Sequence, residues 1–99
     1  MWEILVNPTL KQTHAIRRGV NGFQAHMILK LHENADKGLW DECDYVYLRG
    51  RIEDELIELD AAISKKDYIG AREELADVAN FCMMIHDNLT CGRFKEFRK

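Results

Sequence analysis

Apolar residues recur at helical spacing in three stretches of this chain, with polar residues between them. The first stretch runs from about Phe23 to Asn34. Phe23, Met27 and Leu31 share one face there, with Ala25, Ile28 and Leu29 offset from it. Asn34-Ala35-Asp36-Lys37-Gly38 then reads as a helix end and a loop that also carries Trp40. The second stretch runs from about Asp44 to Lys65, with Leu48, Ile52, Leu56, Leu59 and Ile63 on one face. Gly50 weakens it locally by up to about 1 kcal/mol relative to Ala. After a polar turn, Ser64-Lys65-Lys66-Asp67, the third stretch runs from about Tyr68 to Asn88. So short a link forces the second and third helices into an antiparallel pair.

The two ends read differently. Residues 1–22 are predicted to be irregular. Trp2, Ile4 and Val6 alternate too briefly for more than a short strand, Pro8 ends it, and Gly19, Asn21 and Gly22 break up the residues before the first helix. Residues 89–99 read as a basic tail with Arg93, Lys95, Arg98 and Lys99, expected to fray from Cys91 onward. The prediction is one all-α domain over residues 1–99, with its helical core at 23–88.

The third helix carries an anomaly. Between Leu75 and Ile85 it is apolar nearly all round, the pattern of a helix buried on most sides. Yet Glu74, Asp77 and Asn80 run along it at i, i+3, i+6. An ionised carboxylate in such a place is expensive unless it is paired or binds a metal. The second helix offers a matching pair, Glu55 and Glu58, with Glu55 bordering the Ile52–Leu59 stripe. Spacing of i, i+3 puts both members of each pair on one helix face. Glu53, Asp54 and Asp60 read as a solvated face, and Glu55 and Glu58 have bland alternatives: they share that face, or pair with Arg51 and Arg72. No Glu is followed by His at i+3, as a di-iron bundle requires, and His14, His26, His32 and His86 lie off the acidic line. An all-oxygen cage suits Mg²⁺, with Mn²⁺ the alternative.

Composition narrows the partners. With 99 residues the core is small, and many such chains oligomerise. A formal charge of −3 argues against an unaided nucleic-acid binder, although a metal could still bring a small nucleotide to the chain. No apolar run approaches the roughly 20 residues of a membrane span. Cys43, Cys82 and Cys91 form no C-x-x-C and are odd in number, and the opening MWEILVNPTL lacks a basic stretch leading into a long apolar one. The expectation is a reduced, cytoplasmic protein.

E-x-x-E at 55–58, a gap of 15 residues from Leu59 to Glu73, then E-x-x-D at 74–77 resembles the MazG-like all-α nucleotide pyrophosphohydrolases. The runs FQAHM at 23–27, NADKGLW at 34–40 and EELADVANFCMMI at 73–85 are similar to that family's single-domain members. The resemblance implies an antiparallel helical bundle completed by homodimerisation, or a dimer of dimers. It implies hydrolysis of a nucleoside triphosphate between the α- and β-phosphates, in nucleotide-pool sanitation or control. Glu55, Glu58, Glu74 and Asp77 match the metal positions, and Glu55 or Glu58 would act as general base through water.

Substrate contacts are expected from Lys37, Trp40 and Asn80. Lys37 would neutralise phosphate, or is a solvated loop lysine. Trp40 would stack on a base, or caps the helices. Asn80 would bind sugar or phosphate, or is a satisfied buried amide. Gln24 and Met27 would shape a base pocket, Met27 more simply as core. The competing reading of the whole is a non-catalytic helical module that binds a nucleotide or a protein.

Overall fold

Residues 9–98 are described by the structure, a computed structural model. Three helices make up the described chain: α1 (Leu10–Glu33), α2 (Tyr45–Ser64) and α3 (Tyr68–Thr90). Short 3-10 turns follow α1, at Ala35–Lys37, and α3, at Lys95–Phe97. There is no strand among the described residues, and none of their helices is long and apolar enough to cross a membrane. The possible strand at Trp2–Val6 lies outside the described residues.

The first helix starts well before Phe23, which corrects the expectation of an irregular segment through residue 22. Thr9 opens it with a capping box. The Gln12 backbone N–H donates to Thr9 Oγ1 (3.1 Å), and the Thr9 N–H donates to Gln12 Oε1 (2.7 Å). A stripe of Ile16, Val20, Phe23, Met27 and Leu31 then runs unbroken at helical spacing. Gly19 and Gly22 sit inside this helix without positive φ, so each lowers its propensity without ending it.

Each later helix end has a defined device. The Asp44 carboxylate accepts the Tyr47 N–H (2.7 Å) and starts α2. At the other end Lys66 takes φ 58°, the Lys66 N–H donates to Ile63 O (3.0 Å), and the Asp67 N–H donates to Ala62 O (2.9 Å). That paired pattern stops α2 within three residues of α3. Asp67 then caps α3 by accepting the Gly70 N–H (2.9 Å). A Cβ on Gly70 would meet that same carboxylate, so a larger residue there would displace the cap.

α2 and α3 pack antiparallel: Glu55 lies opposite Glu74, and Arg51 reaches Phe81. α1 packs on α3 through its C-terminal third, where the Asn80 amide donates to Met27 O (3.1 Å). The buried apolar set is small: Leu48, Ala71, Ala76 and Phe94. Three polar residues, Glu55, Asn80 and Asn88, are buried with it. The apolar belt of α3 is not fully covered, since Leu75 and Cys82 are exposed.

The tail does not fray as expected from Cys91 onward. Gly92 (φ 63°) turns the chain out of α3, with the Arg93 N–H on Asn88 O (2.9 Å). Phe94 is then buried against Tyr45 and Phe97, with ring centroids 6.0 and 5.7 Å away. Glu96 accepts the free Tyr45 N–H in the first turn of α2 (3.0 Å). Hydrophobic spacing within the tail is too sparse to announce this, because Phe94 finds its partners on a distant helix. Lys99 lies outside the described residues.

Candidate metal centre

Facing positions of the antiparallel pair bring three carboxylates together. One oxygen from each of Glu55, Glu58 and Glu74 lies within 4.8 Å of the others. Glu55 is 5% exposed, Glu74 is half-buried, and Glu58 opens to solvent. Arg51 donates to Glu55 Oε1 (2.8 Å) and lies over the Phe81 ring, its guanidinium carbon 5.4 Å from the centroid. The bland alternative of an Arg51 partner is therefore met for one oxygen of Glu55. The second oxygen is not served: Glu55 Oε2 and Glu74 Oε2 are enclosed and receive no hydrogen bond from a donor among the described residues. Enclosed carboxylate oxygens of this kind are satisfied by a shared proton, an ordered water or a cation.

The electrostatics agree with that choice. The Glu74 carboxyl is pushed up to about 8, chiefly by sharing a proton with Glu55, then by burial and by Glu58. Glu55 is raised by burial and by the neighbouring Glu58. Asp77 is raised by burial, with Lys30 pulling the other way. Carboxyls that burial and their neighbours hold towards the protonated form give up the proton for a divalent ion. Glu53 and Asp54, by contrast, are exposed and paired with Arg49 (2.6 Å) and Arg51 (3.0 Å) respectively, and Asp60 is exposed, as the solvated-face reading expects.

Asp77 stands one turn along α3, outside the trio, and faces α1. Its Oδ1 is 3.8 Å from Lys30 Nζ. The same ammonium is 3.1 Å from Glu73 Oε2 and 3.9 Å from Glu33 Oε2, and Glu73 Oε1 is 3.4 Å from His26 Nε2. Burial works against the Lys30 charge, but its acidic neighbours outweigh that and raise its pKa.

A cavity of about 690 Å³ opens beside these groups. Glu55, Asp77, Asn80, Lys30, Lys37 and Arg51 form its polar wall, and Leu31, Trp40, Tyr47, Phe81 and Met84 line its apolar side. Lys37, Trp40 and Asn80 therefore meet at one cavity. Two of them carry structural duties as well. The Trp40 indole N–H donates to Asp87 (3.0 Å), and Trp40 O accepts from the fully buried Asn88 (3.0 Å). Asn80 gives its amide N–H to Met27 O and keeps its own oxygen enclosed without a donor. Gln24 is exposed on α1, and neither it nor Met27 lines the cavity. Sequence reasoning missed Lys30 as part of this wall. Its signal was a lysine at the edge of the Met27–Leu31 face, but the acids it meets are on another helix.

No protein-family model and no solved structure matches the chain. A protein of Archaeoglobus fulgidus described as uncharacterized is 39% identical over 51 residues, a match that covers 52% of this chain and 55% of that protein. The chain thus spans about half the length of this relative.

Proposed function

We propose that this chain is a divalent-cation-dependent nucleoside triphosphate pyrophosphohydrolase of the MazG-like type. The observation that carries the reading is the pair of enclosed, donorless oxygens on Glu55 and Glu74 beside a cavity lined by three cations. Such a centre has oxygen ligands alone, which fits Mg²⁺ or Mn²⁺. Glu55, Glu58 and Glu74 would hold the ion, with Asp77 completing the set from the next turn. When bound, the ion polarises the attacked phosphorus and lowers the pKa of the attacking water.

The side chains divide the remaining work. Lys37 and Arg51 neutralise phosphate oxygens at the cavity wall, and the apolar side with Trp40 takes the base. Arg51 also occupies one oxygen of the buried Glu55 carboxylate, which leaves Glu55 no oxygen open to an attacking water beside the ion. Glu58 is open to solvent and is the carboxylate that accepts the proton of the attacking water. Water adds at the α-phosphorus, the α–β bridging bond breaks, and monophosphate and pyrophosphate leave. The role is nucleotide-pool sanitation or control.

The protein works as a homodimer in this reading. Its Cα radius of gyration is 16.0 Å, against about 13 Å for a compact chain of 100 residues. Ile16, Val20 and Phe23 leave an apolar stripe on α1 uncovered within one chain.

Product analysis tests the reaction. A panel of ribo- and deoxynucleoside triphosphates, with and without Mg²⁺, should give monophosphate and pyrophosphate only with metal, and Glu58→Gln should abolish turnover. Absence of turnover on the whole panel, with metal present and the protein folded, would return the chain to the non-catalytic binding module.

A further inference from the structure

Lys30 has a place that packing alone does not require. It lies on α1, its side chain is 16% exposed, and its ammonium is aimed at the acidic line of α3 rather than at solvent. It is 3.1 Å from Glu73 and 3.8 Å from Asp77, and it lines the same cavity as Lys37 and Arg51. Asp77 is the member of the four carboxylates left out of the close trio, and Lys30 is the cation it faces.

We propose that Lys30 is an exchangeable counter-ion: it neutralises Asp77 in the metal-free protein, yields Asp77 to the divalent ion, and then binds the substrate's phosphate chain. This rests on the reading of Glu55, Glu58, Glu74 and Asp77 as a metal centre. The chemistry follows from charge and reach. An ammonium beside a carboxylate competes with a metal for the same oxygens, because each satisfies the same negative charge. A lysine is a compact charge on a flexible stem, so it can turn from Asp77 into the adjoining cavity without a backbone change. Glu73 meets the same ammonium at 3.1 Å and also His26 at 3.4 Å, so its carboxylate keeps a partner when the Lys30 ammonium turns away. Asp77 thereby keeps a counter-charge with and without the metal, and the cation released by metal binding is delivered where a polyphosphate needs one.

The exchange makes two predictions of opposite sign for one substitution. Without nucleotide, Lys30→Met should bind Mn²⁺ several-fold tighter than wild type, because the internal competitor is gone. With saturating Mg²⁺, the same variant should bind inorganic tripolyphosphate about tenfold more weakly, the scale of one charge-assisted contact. Lys30→Arg should keep most of the tripolyphosphate affinity. Mn²⁺ affinity is read by electron paramagnetic resonance and tripolyphosphate affinity by calorimetry. A purely structural lysine would lower both affinities or neither, and either result overturns the proposal. Lys37→Met removes a cation from the same cavity wall. If it tightens Mn²⁺ as much as Lys30→Met does, the effect is a general field and the proposal falls. Should Lys30→Met not fold, the wild-type protein still decides. Its Lys30 side-chain NMR signal should move on adding Mg²⁺ and again on adding tripolyphosphate, and a signal indifferent to both refutes the exchange. Wild-type protein that binds no Mn²⁺, or binds it equally as Glu58→Gln, overturns the metal centre itself and Lys30 with it. Mn²⁺ binding lost in Glu58→Gln but unchanged in Lys30→Met overturns the exchange alone.

Discussion

Glu74 concentrates the tension of the site at the scale of one side chain. Its carboxyl holds a proton up to about 8, whereas in the unfolded chain it would lose it near 4.5. The folded state therefore binds more protons than the unfolded state in that window, and stability falls as pH rises through it. Below about 4.5 the contribution is fully present; above about 8 it is gone. Metal-free protein should melt progressively lower between these limits, and saturating Mg²⁺ should reduce the fall, since the ion binds the ionised carboxylates of the folded form. Glu74→Gln should raise the metal-free stability at pH 8 by about 1–2 kcal/mol, the scale of relieving a buried unsatisfied polar group, and should erase the Mg²⁺-induced shift. Thermal melts at several pH values, with Mg²⁺ and with a chelator, check both. The site was legible to the extent that its pairs are local: i, i+3 spacing on a helix needs no knowledge of the fold. That Lys30 meets Asp77 and that Arg51 serves Glu55 with only one oxygen are facts of packing, invisible in spacing.

The helices owe their ends to specific residues, and two of these invite substitution. Lys66 adopts the left-handed conformation that stops α2, which strains any residue but glycine. Lys66→Gly should stabilise the protein by about 0.5–1 kcal/mol, after the greater flexibility of glycine in the unfolded chain is counted. Phe94 is 3% exposed between Tyr45 and Phe97, and Phe94→Ala should cost about 3 kcal/mol. Urea denaturation measures both. α2 and α3 were legible to within a residue or two because caps and periodicity agree at Asp44 and Asp67. The first thirteen residues of α1 were not, because Gly19, Asn21 and Gly22 resemble a loop when read singly. In the helix they sit between the apolar positions Ile16, Val20 and Phe23, and the stripe outweighs their weak propensity. The tail was hidden for another reason, since one phenylalanine among basic residues carries no period.

The whole molecule is more extended than its length requires, and α1 is the α-helix with no buried residue. A helix of 24 residues is about 36 Å long, but its ion pairs and hydrogen bond to α3 fall at His26, Met27 and Lys30, while residues 14–25 are exposed. In the homodimer reading that exposed stretch is the contact region. Ile16→Asp combined with Val20→Asp should then convert a dimer to a folded monomer, with the helical circular-dichroism signal largely kept. Sedimentation velocity gives the mass. A wild-type protein that sediments as a monomer would remove dimerisation from the reading, while leaving the metal centre to its own tests.

The two carboxylate pairs belong to one hairpin, with 15 residues between Glu58 and Glu74. An ion held there closes a short loop, and α1 contributes no oxygen to the close trio. α1 and the hairpin are thus separable in the order of unfolding. Mild denaturation that peels α1 away first would carry off Lys30, the rival for Asp77, while leaving the hairpin and its ligands in place. Over that range the protein would grip its ion more firmly as it loosened, and metal affinity would rise before it collapsed.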